Sequence, residues 1–472
     1  MTCSIGLYGL GVMGASLARN IANNGFSVAV FNRSFDKTEQ FLKKYPSDNL
    51  QGFSTLKDFV KALTVPRRVV LMVPENAVDE VLDQLVEVLE PGDAVMDGGN
   101  SYFKDTARRA EFLAEKKIEF LGCGISGGEK GALIGPSLMP GGSKSAYDMF
   151  KDVLEKMAAK DFKGQPCVDY MGKAGAGHYV KMVHNGIEYA LMQLLAESYH
   201  CLRYGLRLDA DQVQSIFEEF NEGRNGGFLV ESMENIVAKE DDQGSDEYML
   251  DVIKDVAGQK GTGRWTAIEG LMLGVPLSII YAAVDARNVS SQAKLREELA
   301  KTFVNLHEGA DDLDTDIVHQ SIAELESCLY QAQILTFAQG FQLLKAADKE
   351  YDFGLSMVNI ARVWQGGCIV RSKLLQLFEQ VLIDAEADAV DLDNLLQAED
   401  MQRALFDGNW SLYELLLDFP DVKLPVFAAA RYYLAVLREP KSGAEVIQAL
   451  RDSFGAHGYE RVDKEGKFHS EW

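Results

Sequence analysis

The chain predicts a two-part molecule: an α/β, doubly wound N-terminal part, then a larger all-α part that ends in an extended tail. Three observations predict it. Short β-rich runs alternate with helical runs up to residue 176. From residue 177 strand patterns stop and long helical periodicities dominate through 439. From residue 440 only one short helical run remains, before a stretch rich in Gly, aromatics, His and Lys. The expected division is therefore 1–176, 177–439 and 440–472.

In the first part, strands are expected over 4–8, 27–32, 68–73, 94–97 and 119–123. Helices are expected between them over 15–23, 36–45, 77–89 and 105–115. This alternation implies βαβ units and a parallel sheet. Two further strands are expected around Leu138 and Val168. The second part opens with one long helix over 177–205, followed by helices over 209–220, 316–349, 372–384 and 425–438. Gly-containing loops fall at 223–227 and 258–263. A short helix over 443–453 precedes the tail. With Phe454, Tyr459, Phe468 and Trp472 but no helical period, that tail needs a surface to cover. No tandem repeat is visible.

Composition narrows the class. The chain has 472 residues, 47% of them hydrophobic, enough for two or three domains with real cores. Its net charge is −24, from 47 Lys and Arg against 71 Asp and Glu, with no basic block. That excludes non-specific binding to nucleic acid or to anionic membranes, and an anionic substrate would need a site that gathers its own cations. The six cysteines (Cys3, Cys123, Cys167, Cys201, Cys328, Cys368) are scattered with no CxxC, as suits free thiols in a reducing compartment. No signal-type N-terminus is present, and the most apolar stretch, 271–284, is shorter than the ~18 residues of a membrane span. The seven histidines form neither HExxH nor a helical HxxxH pair, so no protein-built metal site is expected. A soluble cytoplasmic protein follows.

Gly9-Leu10-Gly11-Val12-Met13-Gly14 fits GxGxxG and stands where that fingerprint belongs, after the first strand and opening a helix. Gly9 allows the tight turn, Gly11 lets a pyrophosphate approach, and Gly14 lets helix and strand pack closely. The helix N-terminus supplies amide donors. The part is thus of Rossmann type. At the end of the second strand, where NAD sites carry a carboxylate, the chain reads Asn32-Arg33-Ser34. Arg33 can pair with a ribose 2′-phosphate, and Asn32 and Ser34 can add hydrogen bonds, which favours NADP. Glycine-rich strand ends at 97–100 and 124–128 bring Asn100 and Ser126 to the ligand side of the sheet.

The long helix is apolar nearly all round except for Lys181, His184, Asn185 and Glu188, which at about 100° per residue share one face. Such a patch at a buried helix is costly unless something uses it. It reads either as an internal ion pair (Lys181 or His184 with Glu188) or as an acid–base pair. Desolvation lowers a lysine pKa from its usual value of about 10.4 and raises that of a carboxyl group.

Taken together, residues 9–14, 31–34, 97–100, 124–129 and 178–189 resemble decarboxylating 6-phosphogluconate dehydrogenases. The likeness continues through 258–263, Gln339-Gly340-Phe341, 366–369, Arg451-Asp452 and 454–457, and covers essentially the whole chain. The resemblance implies oxidative decarboxylation of 6-phosphogluconate to ribulose 5-phosphate and CO2, with reduction of NADP. It makes Lys181 the base that takes the 3-hydroxyl proton and later polarises the ketone, and Glu188 the acid that protonates C1 of the enediol. It assigns Asn100, Ser126, Gly127, Gly128, His184 and Asn185 to the sugar acid. Tyr189, Lys260, Thr262, Arg287 and Arg451, with His457 nearby, go to the phosphate. The loop at Val73 and the residue Asn100 touch the cofactor. It also implies a homodimer in which the tail completes the partner's phosphate pocket. By residue type alone Thr262 reads as a helix N-cap after Lys260, and Arg287 as a surface arginine paired with Asp285.

The chain departs from the family at Gly11, where Ala is common, and at Pro74-Glu75, where a lysine contact is replaced by a carboxylate. It departs again at Gln365, where Arg is frequent, and over 224–227. Two other readings remain distinct: a β-hydroxyacid dehydrogenase that acts on a small acid without decarboxylation, and a non-catalytic NADPH-binding dimer. Neither needs the whole set of Lys260, Arg287, Arg451 and a Lys181–Glu188 pair.

Overall fold

The computed structural model describes residues 2–302, 314–390, 394–406 and 422–472. One sheet is built from Ile5–Tyr8 (β1), Val28–Phe31 (β2), Leu50–Gly52 (β3), Arg68–Leu71 (β4), Ala94–Asp97 (β5), Glu119–Ser126 (β6) and Ser137–Gly142 (β7). The strand order is β3-β2-β1-β4-β5-β6-β7. The order reverses at β1, the switch point where open α/β sheets bind ligands. Tyr8 of β1 is level with Phe31 of β2 and Leu71 of β4, so the loops that begin at Gly9, Asn32 and Met72 leave the sheet at one edge.

The intervening helices are Val12–Asn23 (α1), Phe35–Lys44 (α2), Leu56–Lys61 (α3), Val78–Val86 (α4), Phe103–Glu115 (α5), Gly128–Ile134 (α6) and Lys144–Met157 (α7). The sheet is covered on both faces. Ile5, Leu7, Val28, Val30 and Met96 pack with α1 and α7 through Leu17, Ile21, Phe150 and Leu154. Tyr8, Ala29, Phe31, Val69 and Val95 pack with α3 and α4 through Phe59, Val60, Val81 and Leu82. Period-2 alternation along the strands sorts the side chains between these two cores.

Two expectations are corrected here. β7 is antiparallel to β6, because only residues 127–136 separate them and a parallel return needs a dozen or more. The stretch around Val168 is no strand; it makes a single bridge to Leu138. The sequence reading also missed β3, α3 and α6, which are short, and α7, although Tyr147, Phe150, Leu154 and Met157 repeat there at helical spacing.

The helical part is organised on Ala176–His200 (α8), which ends in a π-turn at Cys201–Gly205. It packs on the 37-residue helix Thr315–Tyr351 and on the Thr262–Met272 and Ser278–Ser290 helices. α8 also crosses β6 and β7, and this joins the helical core to the end of the sheet. The tail is not without regular structure. Helix Ala444–Gly455 leads into a hairpin of Tyr459–Glu460 (β8) and Lys467–Phe468 (β9). Among the described residues no helix is long and apolar enough to cross a membrane, and no three His, Cys, Asp or Glu residues gather as a metal site.

Candidate active site

α8 approaches the sheet so closely that β6 carries glycine where they meet. A Cβ on Gly124 would stand 2.3 Å from Lys181 Cβ. Lys181 thus runs along the strand that ends in Ser126, and it is 7% exposed. Its Nζ donates to Asn185 Oδ1 at 2.8 Å and lies 3.3 Å from His184 Nδ1. His184 is 0% exposed and sits edge-on to Trp364. Its Nδ1 is 3.1 Å from Asn185 Oδ1 and its Nε2 is 3.1 Å from Ser126 Oγ. With a neutral ring, Nδ1–H donates to Asn185 and Nε2 accepts from Ser126. Ile369 N donates to the same Ser126 Oγ at 3.4 Å, so the 366–369 loop closes the site from far along the chain.

Burial sets the electrostatics. It pushes the Lys181 amine down towards its neutral form, against the opposing pull of Glu188 and Cys368. Burial pushes the Glu188 carboxyl up, against Lys181 and Arg287. Burial and the nearby Lys181 hold His184 well below its ordinary value, so its ring is uncharged. The simple ion-pair reading is not what the geometry favours. Lys181 bonds Asn185, and His184 Nδ1 stands 3.7 Å from Glu188 Oε2, beyond hydrogen-bond reach. An amine shifted down and a carboxyl shifted up are suited to exchange protons with a bound molecule.

The loops around this patch follow from local chemistry. Gly127, at φ 129°, passes so close to the Gly367 carbonyl that a Cβ would meet it at 2.6 Å. The two glycine turns, 127–128 and 366–367, therefore nest. Thr266 Oγ1 donates to Met182 O at 2.7 Å and fastens the Thr262–Met272 helix to α8. Gly263 lies on the ring of Tyr189, and Arg287 stacks on the same ring at 4.4 Å. Lys260 is exposed just before this helix. Thr262 is not the N-cap: Gly261, in the left-handed region at φ 91°, takes that place and Thr262 is the first helical residue. Nor does Arg287 pair with Asp285; its guanidinium donates to Gly258 O at 3.0 Å and tethers the 258–263 loop.

At the sheet edge, Gly9 turns at φ 109° with the Met72 carbonyl against its Cα, and a Cβ on Gly14 would strike Gly9 O. A Cβ on Gly11 would meet nothing, so the space above the N-terminus of α1 is open. No side chain caps that terminus, so the amides of Val12 and Met13 form a free donor end, with Leu10 bordering it. Arg33 and Ser34 are exposed beside it. Asn32 is turned inward; its Oδ1 accepts from Leu10 N at 3.1 Å and braces the glycine loop. Asn100 is exposed on the loop after β5. Asp97 shapes that loop by accepting from Gly99 N at 2.9 Å and Ser101 Oγ at 2.6 Å. Beyond Val73, the carboxylate of Glu75 accepts from Tyr102 N at 2.9 Å, so it caps α5 and does not face the cofactor edge as a free charge.

The other departures also have structural partners. Gln365 bonds the buried Glu379, and Arg224 grips Glu326. Arg451 and His457 are not brought to α8 within this chain. Arg451 bonds Gln448, and His457 packs edge-on to Phe454. The sequence reading gave Gly124 a place at a ligand-side strand end but not its packing against Lys181, and it gave Ile369 no role of its own. Their signals were the alternate glycines at 122 and 124 in β6 and the Gly-Gly turn at 366–367.

Known proteins are similar to this chain in sequence and fold. Residues 4–172 match the family described as NAD binding domain of 6-phosphogluconate dehydrogenase. Residues 177–472 match that described as 6-phosphogluconate dehydrogenase, C-terminal domain. The NADP(+)-dependent, decarboxylating 6-phosphogluconate dehydrogenase of Bacillus subtilis is 44% identical over 471 residues, 99% of this chain and 98% of that protein. The decarboxylating enzyme of Shigella flexneri is 42% identical at the same coverage. The Plasmodium falciparum 6-phosphogluconate dehydrogenase, solved with NADP+ and with 6-phosphogluconate, covers 100% of both chains at 37% identity and a TM-score of 0.94.

Proposed function

The chain belongs to the 6-phosphogluconate dehydrogenase family, and on that premise we propose that the α8 patch is its catalytic centre, with Lys181 as base and Glu188 as acid. The reaction is the NADP-dependent oxidative decarboxylation of 6-phosphogluconate to ribulose 5-phosphate and CO2.

The sheet edge fits the cofactor. The Gly9–Gly14 loop leaves open space at Gly11 above an uncapped helix N-terminus, which suits a pyrophosphate. Arg33 and Ser34, exposed beside it, suit a 2′-phosphate, while Asn32 serves by holding the loop. Val73 and Asn100 would also contact the bound cofactor. When bound, NADP supplies the hydride acceptor. The chain's own groups handle protons and charge.

Neutral Lys181 removes the 3-hydroxyl proton as C3 is oxidised. As an ammonium it then polarises the new ketone, so that electrons from the breaking C1–C2 bond have somewhere to go. The old C1 leaves as CO2, and the enediol takes a proton from Glu188 at the former C2, which becomes C1 of ribulose 5-phosphate. Asn100, Ser126, Gly127, Gly128, His184 and Asn185 hold the carboxylate and hydroxyls. Tyr189, Lys260, Thr262 and Arg287 hold the phosphate. The pair of groups, not either one alone, sets the titration.

Arg451 and His457 complete the phosphate pocket of a second copy. Ile447, Leu450 and Phe454 support this: they are 62%, 58% and 76% exposed and, with Arg451, occupy i, i+3, i+4 and i+7 of one helix face. An apolar stripe with a cation set in it is suited to dock and deliver the charge. The chain then divides into a cofactor part (1–176), a helical substrate and dimer part (177–439) and an exchanged tail (440–472). Six buried free cysteines suit the reducing cytoplasm.

The burial of Lys181 among uncharged hydrogen-bond partners carries this reading. With 6-phosphogluconate and NADP, CO2 and NADPH should appear in equal amounts. A stable keto acid without CO2 would favour the non-decarboxylating alternative.

A further inference from the structure

Only Asp452 is buried in the Ala444–Gly455 helix, and it is 0% exposed although both its neighbours, Arg451 and Ser453, are exposed. It faces the hairpin that follows it. Its Oδ1 accepts from Gly458 N at 2.8 Å and His469 Nδ1 at 2.9 Å. Its Oδ2 accepts from Ser470 N at 3.1 Å and from the Trp472 indole Nε1 at 2.9 Å. One carboxylate thus collects four donors from three separate points of the tail. Burial alone would raise its pKa; the bonds from His469, Ser470, Trp472 and Gly458 outweigh that and hold it well below the usual carboxylate range.

The rest of the tail closes round this hub. Gln448 Nε2 donates to Gly458 O at 2.6 Å, and its Oε1 accepts from Arg451 at 3.3 Å. Tyr459 packs on Phe468 and Trp472, with ring centroids 6.3 and 6.2 Å away. The helix therefore has two faces with separate tasks. Gln448 and Asp452, four residues apart, turn towards the hairpin. Ile447, Leu450, Arg451 and Phe454 turn outward.

We propose that Asp452 is a positioning residue for the reaction: by stapling the hairpin and Trp472 onto the helix, it fixes the direction in which neighbouring Arg451 is offered to the phosphate of the bound sugar acid. This rests on the reading that the tail serves a second copy's phosphate pocket. Loss of a staple changes how the guanidinium is aimed and leaves the outward apolar stripe, and hence assembly, intact.

The test uses the full-length enzyme with Trp472→Phe, which keeps the ring and removes one donor, and Asp452→Asn, which cannot accept on both sides. Each is assayed with 6-phosphogluconate and with unphosphorylated gluconate, alongside Arg451→Ala. A misaimed charge-assisted contact raises KM for 6-phosphogluconate about tenfold, with kcat and the NADP KM nearly unchanged and with gluconate turnover unaffected. Sedimentation should show both staple variants still dimeric. Unchanged KM in both variants, an equal loss with both substrates, or dissociation of Trp472→Phe overturns the proposal. If Arg451→Ala itself leaves the KM for 6-phosphogluconate unchanged, the tail reading fails instead.

Discussion

Lys181 owes its chemistry to its surroundings: strand β6 beside it, neutral Asn185 and His184 within bonding reach, and one carboxyl further along the same helix face. Lys181→Met should lower kcat by roughly 10²–10⁴-fold, the usual worth of general acid–base catalysis. Its melting temperature should not fall below wild type, since a desolvated amine is replaced by an apolar chain of similar length. Unchanged kcat would reduce the patch to a structural feature. The directions of the two shifts also fix the shape of the pH profile. Activity falls on the acid side as the pair takes up the proton that silences the amine, and on the alkaline side as it loses the proton Glu188 must give. In Glu188→Gln the alkaline limb should flatten; a limb identical to wild type would remove Glu188 from the chemistry. At the other end of the site, Arg33→Ala should weaken NADP far more than NAD in equilibrium binding, and equal losses would reject its 2′-phosphate role. Arg33 stands exposed beside the glycine loop and Lys181 buried at the sheet, the settings that their residue types and neighbours in the sequence suggested. Thr262 and Arg287 were misread locally because capping and pairing depend on φ at Gly261 and on the carbonyl of Gly258, which no side-chain pattern reveals.

Helix α8 ties the elements together and carries one more buried titratable group away from the patch, Glu197. It is buried, and both its oxygens accept from Val426 N and Phe427 N at the start of the Pro425–Arg438 helix. Burial outweighs these bonds and pushes its carboxyl up to about 7. The unfolded chain releases that proton near 4.3, so between about 4.3 and 7 the folded state holds a proton that the unfolded state has lost. Stability from this group therefore declines as pH rises through that window and levels off above it. Glu197→Gln should flatten the dependence of melting temperature on pH between 5.5 and 8; an unchanged slope would contradict the raised pKa. Periodicity revealed α8, the Thr315–Tyr351 helix and the first strands, since each has a strong repeat. It missed β3 and α6, which are too short to repeat, and it could not give the direction of β7, which depends on the length of the connection.

At the scale of the whole molecule, the single chain leaves Arg451 and His457 on an outward tail while the other cations of the phosphate set lie beside α8. Sequence resemblance implied that separation, but composition did not: aromatic tail residues announce that they need a surface without saying whose. Exchange makes a sharp prediction. Lys181→Met and Arg451→Ala homodimers should each turn over 6-phosphogluconate poorly, and co-refolded mixtures should regain activity, because a mixed dimer holds one site with an intact lysine and a donated arginine. No recovery would mean that each chain uses its own tail. Catalysis at α8 depends on an amine kept from water at the sheet's mouth. Lysine labelled with 13C at Cε, followed by NMR titration of the full enzyme and assigned by the signal missing in Lys181→Met, tests this directly. The Lys181 resonance should titrate well below those of the other lysines. A midpoint near the ordinary value of about 10.4 would contradict it.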